Sequence, residues 1–533
     1  MSMAYRLDTD TPVAVIGAGS MGAGITQLAA QSFHPVRLFD TQPGASQRAL
    51  ARIDADLAGA VKRGRIDEAE RAAVRGRITA VTDFAGLAGC ALAVEAIIEK
   101  LDAKKALFAE LEKVLDAGAV LATNTSSISI TAIAQGLAHP ERVVGWHFFN
   151  PVTRMKLVEV IPGVETDPAL VAAMHALGKA WGKTSVDAPN APGFIVNRVA
   201  RPYYAEALRL LAERIAKPEA IDRLLREAGG FAMGPFELID LIGADVNLSV
   251  TESVFAATAW DTRYAPHIIQ QELVRAGRFG RKSGVGFYDY REGAKLPVAA
   301  VVTPASGAAE STSAGVIEAV SKVVVASDPG LLAPLVERLR ALGLAVAGDD
   351  GLLPETLRID DDIVALSDGR TLAERRAAFD PTASRRSVSS DHGTDGAPTV
   401  LLDLARDFSS TPVVGATGSL ASLLRLATLL QPAKVDVIAL ADIAGLVVMR
   451  TIAGLVNEAA DLMTWTGTTA GDIDIAMRLG MAYPQGPLAW ADAIGPSRAA
   501  TVLANLHAHY GEPRYRRSPR LAQAHFTKEK FHG

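Results

Sequence analysis

Four short runs stand in order between Asn124 and Asn197: Asn124-Thr125-Ser126-Ser127, His147-Phe148-Phe149-Asn150, Met155-Lys156-Leu157-Val158-Glu159-Val160 and Gly193-Phe194-Ile195-Val196-Asn197-Arg198. They supply an imidazole, a carboxylate to orient it, and three uncharged hydrogen-bonding side chains, Ser126, Asn150 and Asn197. Such a base takes the proton of a secondary alcohol while a hydride leaves its carbon, and neutral donors meet the oxygen as its charge changes. Glu159 lies twelve residues after His147, enough for a strand, a turn and a return strand. It interrupts the otherwise apolar residues 156–161, and a buried carboxylate without a partner costs several kcal/mol. Paired with His147, it would fix the tautomer and stabilise the imidazolium formed on proton uptake. On those two residues alone a purely structural pair is an equal reading. Taken singly, Ser126 reads as a turn cap and Asn197 as a helix-start residue; the convergence of all four runs favours chemistry.

The elements that must position this set begin upstream. Val13-Ala14-Val15-Ile16 predicts a buried parallel strand, and Gly17-Ala18-Gly19-Ser20-Met21-Gly22 follows at once, with a helical pattern from Ala23. The first glycine permits a tight turn, the second lets backbone approach a pyrophosphate, and the third lets helix pack on strand. The phosphate would sit at the helix N-terminus. Asp40 closes a second strand, Val36-Arg37-Leu38-Phe39, where an acidic residue binds ribose hydroxyls. This predicts NAD rather than NADP, although Arg37 and Arg48 are close enough to bend that rule. Strands at Leu92-Ala93-Val94 and Val120-Leu121-Ala122, separated by a charged helix over 102–115, predict a doubly wound sheet. Glu99 and Lys104 follow the strand carrying Glu95, at the carboxyl end of the sheet where ligands bind. By chemistry alone both read as solvated helix charges.

Bulk properties exclude several classes. A chain of 533 residues should form several domains, and 49% hydrophobic with 21% charged residues fits an ordinary globular protein. The net charge of −5 predicts no nucleic-acid surface and no membrane partner. The one cysteine, Cys90, lies in an apolar run and suits a buried structural thiol in a reducing cytoplasm. The N-terminus lacks a signal-peptide core. Residues 435–456, the longest apolar stretch, contain Asp436, Asp442 and Arg450 and read as buried helix rather than a membrane span. No metal site is expected.

Residues 12–290 resemble the L-3-hydroxyacyl-CoA dehydrogenase family. The runs NTSS, HFFNP, MKLVEV, PGFIVNR, GPFELID and GRKSGVGFY stand here in that family's order and spacing. The resemblance implies His147 as catalytic base, Glu159 as its partner, and Ser126, Asn150 and Asn197 around the substrate oxygen. It implies contacts to NAD from Ser126, Glu99, Lys104 and Lys282, replacing the solvated reading of Glu99 and Lys104. The implied substrate is an (S)-3-hydroxyacyl thioester of coenzyme A, as in fatty-acid β-oxidation. Lys62, Arg63 and Arg65 fall in the segment that meets CoA phosphates in relatives; a solvated basic face fits them equally. A short-chain β-hydroxyacid dehydrogenase shares the glycine fingerprint but typically uses a lysine in place of the His–Glu pair. A catalytically retired member, kept as a nucleotide-binding or structural protein, is the non-enzyme alternative, yet every catalytic position is intact. No hydratase-sized N-terminal region is evident, so one activity is expected.

Residues 193–243 and 445–495 align without a gap at an offset of 252, with 14 of 51 pairs identical. The pairs include Arg198/Arg450, Glu206/Glu458, Asp222/Asp474, Asp240/Asp492 and Gly243/Gly495. Chance gives roughly 3 to 5, so a duplicated helical module is predicted. Asn197 corresponds to Met449, so the second copy lacks that amide. Ahead of it, Lys322-Val323-Val324-Val325, Asp328-Pro329-Gly330 and a helix to about residue 342 resemble a βαβ start without the glycine fingerprint. Later strands are plausible at 399–402 and 435–439.

The expected architecture is α/β. A Rossmann domain over 10–191 precedes an all-α domain over 192–291, a linker over 292–318, a degenerate Rossmann-like domain over 319–441 that binds no cofactor, and a second all-α domain over 442–533. Residues 381–398 read as a loose loop. Relatives with only the first half usually dimerise through their helical domain, so the tandem copy predicts a pseudo-dimer within one chain and leaves a homo-oligomer open. Relatives with this long layout often serve bacterial phenylacetate catabolism, which puts 3-hydroxyadipyl-CoA first as substrate and 3-hydroxybutyryl-CoA second. One active site per chain is expected, within residues 12–290.

Overall fold

The computed structural model describes residues 5, 7–304, 320, 322–349, 351–379 and 396–533. They form two compact units. The first joins the segment up to Arg198 to Thr466–Met481; the second comprises Val199–Trp465 and Ala482–Gly533.

The first unit is built on an eight-stranded sheet in the order β3-β2-β1-β4-β5-β6-β7-β8. Its strands are β1 (Val13–Ile16), β2 (Val36–Phe39), β3 (Ile78–Ala80), β4 (Leu92–Glu95), β5 (Val120–Thr123), β6 (Val143–Phe148), β7 (Leu157–Pro162) and β8 (Thr184–Asp187). The first six run parallel, β7 pairs antiparallel with β6, and β8 runs parallel to β7. Every residue of β1, β4, β5 and β6 is buried, as expected of strands covered on both faces. The core includes Val15, Ile25, Leu38, Val94, Val144, Trp146 and Val160. Cys90 is buried, and burial pushes its thiol up to about 11, so it is an inert structural thiol.

The second unit holds the first helical copy, most of the second, and a seven-stranded sheet in the order β10-β9-β11-β12-β13-β14-β15. These strands are β9 (Val323–Ala326), β10 (Val346–Asp349), β11 (Thr356–Ile359), β12 (Asp362–Leu366), β13 (Val400–Leu402), β14 (Val413–Gly418) and β15 (Asp436–Ala439). Here β11 runs antiparallel to both β9 and β12, which breaks the parallel winding of the first sheet. The α/β class with two helical copies is as the sequence implied, the second sheet being the degenerate one. The two copies match in detail. Helices Pro235–Ile242 and Pro487–Ile494 have bounds 252 residues apart, each with proline in its first turn behind a glycine. Asp240 accepts the N–H groups of Phe287 and Tyr288, and Asp492 those of Phe531 and His532. Those repeated aspartates are anchors for the returning chain.

Some expectations need correction. Residues 435–456 are not one buried helix: β15 occupies the start, and helix Val448–Thr466 begins only after a loop. The β-branched run at the start pairs with β14, and tertiary pairing overrides the apolar continuity. In the first sheet, β6 carries His147 one residue before its end at Phe148. No described helix is long and apolar enough to cross a membrane. Most of the expected linker beyond residue 304, and residues 381–395 of the expected loose loop, lie outside the described residues.

Candidate active site

The glycine turn is set by sterics. Gly17 has φ +105°, and a Cβ there would lie 2.4 Å from the carbonyl oxygen of Ala96; one on Gly22 would lie 1.7 Å from that of Gly17. Neither position admits a side chain. Gly19 differs: a Cβ there would meet no heavy atom within 4 Å, and it is exposed at the start of helix Ser20–Gln31, whose first turn has no side-chain cap. Uncapped N–H groups at a helix start beside open space suit an anion, so these residues fit a dinucleotide pyrophosphate. Asp40 is half-buried and accepts the N–H of Ala18 at 2.7 Å and of Gln42 at 2.8 Å, which draws the end of β2 onto the turn. Ser20 is exposed and Met21 half-buried on the same helix. Gly19→Val should leave the melting temperature unchanged, because its backbone (φ −65°, ψ −170°) tolerates any residue. NAD affinity should fall at least about tenfold, measured by calorimetric titration.

The base pair follows from strand register. His147 and Glu159 face each other directly across β6 and β7. The fully buried Glu159 meets His147 Nδ1 at 2.6 Å through Oε2, while its Oε1 accepts the N–H groups of Ile195 and Val196, both at 3.1 Å. With Nδ1–H assigned to the carboxylate, Nε2 is left to accept a proton. Phe149 and Phe194 flank the imidazole with ring centroids 4.6 and 5.7 Å away. Gly193, with φ +74°, turns the chain so that the helix start at Val196 aims its N–H groups at Glu159. Asn197 follows, half-buried, and Asn150 is exposed two residues past the end of β6. The remaining run is tied in by Asn124, whose Oδ1 accepts the N–H of Phe148 at 2.8 Å.

A second charge network supports this end of the sheet. Glu95 is wholly buried at the end of β4, bonded to Lys104 Nζ at 2.6 Å, Thr123 Oγ1 at 2.6 Å and the N–H of Ile97 at 2.7 Å. Lys104 also meets Glu99 at 3.1 Å. Glu99 Oε1 in turn gathers Thr125 Oγ1, the N–H groups of Ser126 and Ser127, and Ser127 Oγ, with Ser126 Oγ at 3.3 Å. Burial raises the Glu99 carboxyl, but Lys104 and these donors outweigh it and hold it below the usual range. The solvated helix charge that chemistry alone suggested at Lys104, already replaced by the resemblance, does not occur: its side chain is 1% exposed and engaged by two carboxylates.

Sequence reasoning passed over Glu95, although it breaks an apolar strand just as Glu159 does. It also passed over Lys183, which carries no local signal. The Lys183 ammonium donates to the carbonyls of Val152 at 2.5 Å and Met155 at 2.7 Å, fixing the loop between His147 and Glu159. Burial, reinforced by the charge of Lys156, lowers its pKa from 10.5 to about 8. Between those values the unfolded chain binds a proton that the folded chain does not, so this group's contribution to stability rises with pH across the window. The urea midpoint of the wild type should gain on that of Lys183→Met between about pH 8 and pH 10, and a constant gap would refute the assignment.

Two groups of expected contacts remain to be placed. Lys62, Arg63 and Arg65 are exposed at the end of helix Ala45–Lys62 and just beyond it. Lys282, in the second unit, pairs with Asp245 at 2.6 Å.

Residues 12–191 match the family model of the 3-hydroxyacyl-CoA dehydrogenase NAD binding domain, and residues 193–290 and 445–531 each match that of the C-terminal domain. The chain is 40% identical over 514 residues to the 3-hydroxyadipyl-CoA dehydrogenase of Escherichia coli (strain K12), covering 96% of both proteins. It is 39% identical over 280 residues to the 3-hydroxybutyryl-CoA dehydrogenase of Clostridioides difficile, 52% of this chain and 99% of that one. Among solved structures, a 3-hydroxybutyryl-CoA dehydrogenase from Escherichia coli K12 superposes with a TM-score of 0.82 at 39% identity, covering 98% of this chain and 99% of the other.

Proposed function

The chain belongs to the 3-hydroxyacyl-CoA dehydrogenase family, and from that premise we propose that it oxidises (S)-3-hydroxyacyl-CoA to 3-oxoacyl-CoA with a His147–Glu159 base pair. The observation that carries the reading is the imidazole held by a buried carboxylate through Nδ1 alone, with Nε2 free for a substrate hydroxyl. NAD, when bound, supplies the hydride acceptor. His147 Nε2 takes the hydroxyl proton, and the resulting imidazolium is stabilised by Glu159, which the N–H groups of Ile195 and Val196 keep oriented. Ser126, Asn150 and Asn197 are proposed to hold the substrate oxygen. Their neutrality matters: a cation there would stabilise the alkoxide and hold it back from oxidation. Gly17, Gly19, Ser20, Met21 and Gly22 hold the pyrophosphate, and Asp40 the ribose. Glu99, kept in place by Lys104, orders the Ser126–Ser127 turn beside them. Lys282 as a further NAD contact, and Lys62 and Arg63 as CoA phosphate contacts, remain part of the proposal on family resemblance.

For the acyl group, the relative that matches over nearly the full length carries the name of a dicarboxylic substrate. That supports 3-hydroxyadipyl-CoA as first choice and a role in phenylacetate breakdown, with 3-hydroxybutyryl-CoA second. The helical copies are proposed to form an internal pseudo-dimer. Tyr515 donates to Glu206 at 2.9 Å and Tyr264 to Glu458 at 2.5 Å, each tyrosine on a short turn of one copy reaching the glutamate of the other. The test is direct. Purified protein, NAD and a panel of 3-hydroxyacyl-CoA esters should yield NADH, fastest with the 3-hydroxyadipyl ester. No turnover at any acyl length would sink the proposal.

A further inference from the structure

The second α/β domain keeps the frame of the active-site strands without their chemistry. In the first sheet Val186 pairs with Glu159, and Glu159 faces His147. In the second, Ile438, 252 residues after Val186, pairs with Gly415, and the N–H of Asp403 donates to the Gly415 carbonyl at 2.8 Å. Asp403 thus stands where His147 stands, and Gly415 where Glu159 stands. The buried Asp403 carboxylate accepts the N–H groups of Val447, Val448 and Met449 at 3.0, 2.8 and 3.0 Å. These residues correspond to Ile195, Val196 and Asn197. The same helix start is anchored, and the imidazole is gone. The turn after β9 is closed too: Glu355 Oε1 accepts the N–H of Leu331 at 3.0 Å and is held by Arg498 at 2.5 Å. A carboxylate of the chain itself takes the place a phosphate would need.

The second half nonetheless contributes to the first unit. Helix Ala470–Gly480 belongs to the compact body of the first sheet and packs on β7 and β8. A Cβ on Gly480 would lie 2.9 Å from Leu157 Cδ2 and 3.0 Å from Val196 Cγ2. Leu157 lies two residues before Glu159 on β7, and Val196 donates its N–H to Glu159. Both are at most 1% exposed and have little room to yield. The counterpart segment 252 residues earlier does the reciprocal work. Its Leu224 packs on Gly415 of β14, its Ala228 carbonyl accepts the N–H of Arg406, and its Arg223 pairs with Asp436 of β15 at 2.6 Å. Each half lays one helix on the strands of the other.

We infer that the second half takes part in the reaction through helix Ala470–Gly480, with Gly480 a positioning residue that lets the helix close on Leu157 and Val196 and so fixes the Glu159 carboxylate against His147. This rests on the proposed dehydrogenation. The test uses the full chain. Gly480→Leu should lower kcat by about tenfold or more, since ångström misplacement of reacting groups costs up to ~10²-fold, while KM for NAD stays at the wild-type value. Adding Leu157→Ala should restore kcat to within about threefold. Arg478→Ala, exposed on the same helix, should leave kcat unchanged. Wild-type kcat in Gly480→Leu, or a double variant whose melting temperature recovers without its kcat, overturns the inference. If Gly480→Leu does not fold, Gly480→Ala serves with the same readouts and an expected loss of about three- to fivefold. Wild-type turnover is measured first: its absence refutes the reaction, whereas an unaffected Gly480→Leu refutes only the positioning role.

Discussion

Replacing His147 by glutamine should lower kcat by ~10²–10⁴-fold, the usual contribution of a positioned general base, with NAD affinity unchanged. Glutamine fills similar space and can still donate to Glu159, so the fold survives while no group accepts the hydroxyl proton. The glycine turn that receives the dinucleotide is built from β1, β2 and the helix between them, and none of its contacts involves His147. Stopped NADH formation at saturating substrate, with unaltered NAD titration, is the expected pair of results. A variant that loses less than about tenfold would show that proton removal lies elsewhere.

The largest effect on stability should come from Arg450→Met. The Arg450 guanidinium is fully buried and bonded to Glu206 at 2.6 Å, to both oxygens of Glu213 at 2.9 and 3.0 Å, and to Tyr510 at 2.8 Å. It also stacks over the rings of Tyr510 and Tyr515. Methionine would fill part of the volume and leave Glu206 buried with only the Tyr515 hydroxyl among these partners. Breaking one side of a buried pair typically costs ~3–5 kcal/mol. A domain of this size shifts by roughly 2–4 °C per kcal/mol, so thermal unfolding should begin at least about 6 °C lower. Adding Glu206→Gln should recover part of the loss, because the uncompensated charge is then gone. An unchanged melting temperature in Arg450→Met would show that this cluster does not hold the helical copies together.

How much of this was legible beforehand depended on whether a residue broke a local pattern. Glu159 interrupts an apolar strand and His147 stands between Trp146 and two phenylalanines, so the pair announced itself. The glycine turn did likewise, through its position between a strand and a helix. Asp240 and Asp492 were visible as repeated residues, but their task, holding a returning backbone, is set by chain that arrives 47 and 39 residues later. Lys183 is a lysine in a polar stretch and becomes a loop anchor only because β8 lays it against Val152. The strand β8 itself, Thr184-Ser185-Val186-Asp187, was missed because an edge strand needs just one buried residue here. In the second sheet, β11 and β12 form an antiparallel pair inside what reads as a βαβ unit, a reversal that hydrophobic pattern cannot show. Asp403 needed both sheets before its place could be read at all.

The Arg450 cluster has a consequence for how such a chain can change over generations. At a twofold axis between identical subunits, every substitution is made twice and must suit both settings at once. Here the two sides are written separately. Glu213, which grips Arg450, corresponds at the repeat offset to Trp465, and Asp461, which meets Arg263 at 3.1 Å, corresponds to Arg209. Acid on one side is matched by an aromatic or a base on the other, an arrangement that no symmetric dimer of one sequence can hold. With both copies in one chain, this interface is not bound to self-complementarity, and a substitution on one side leaves the other unchanged.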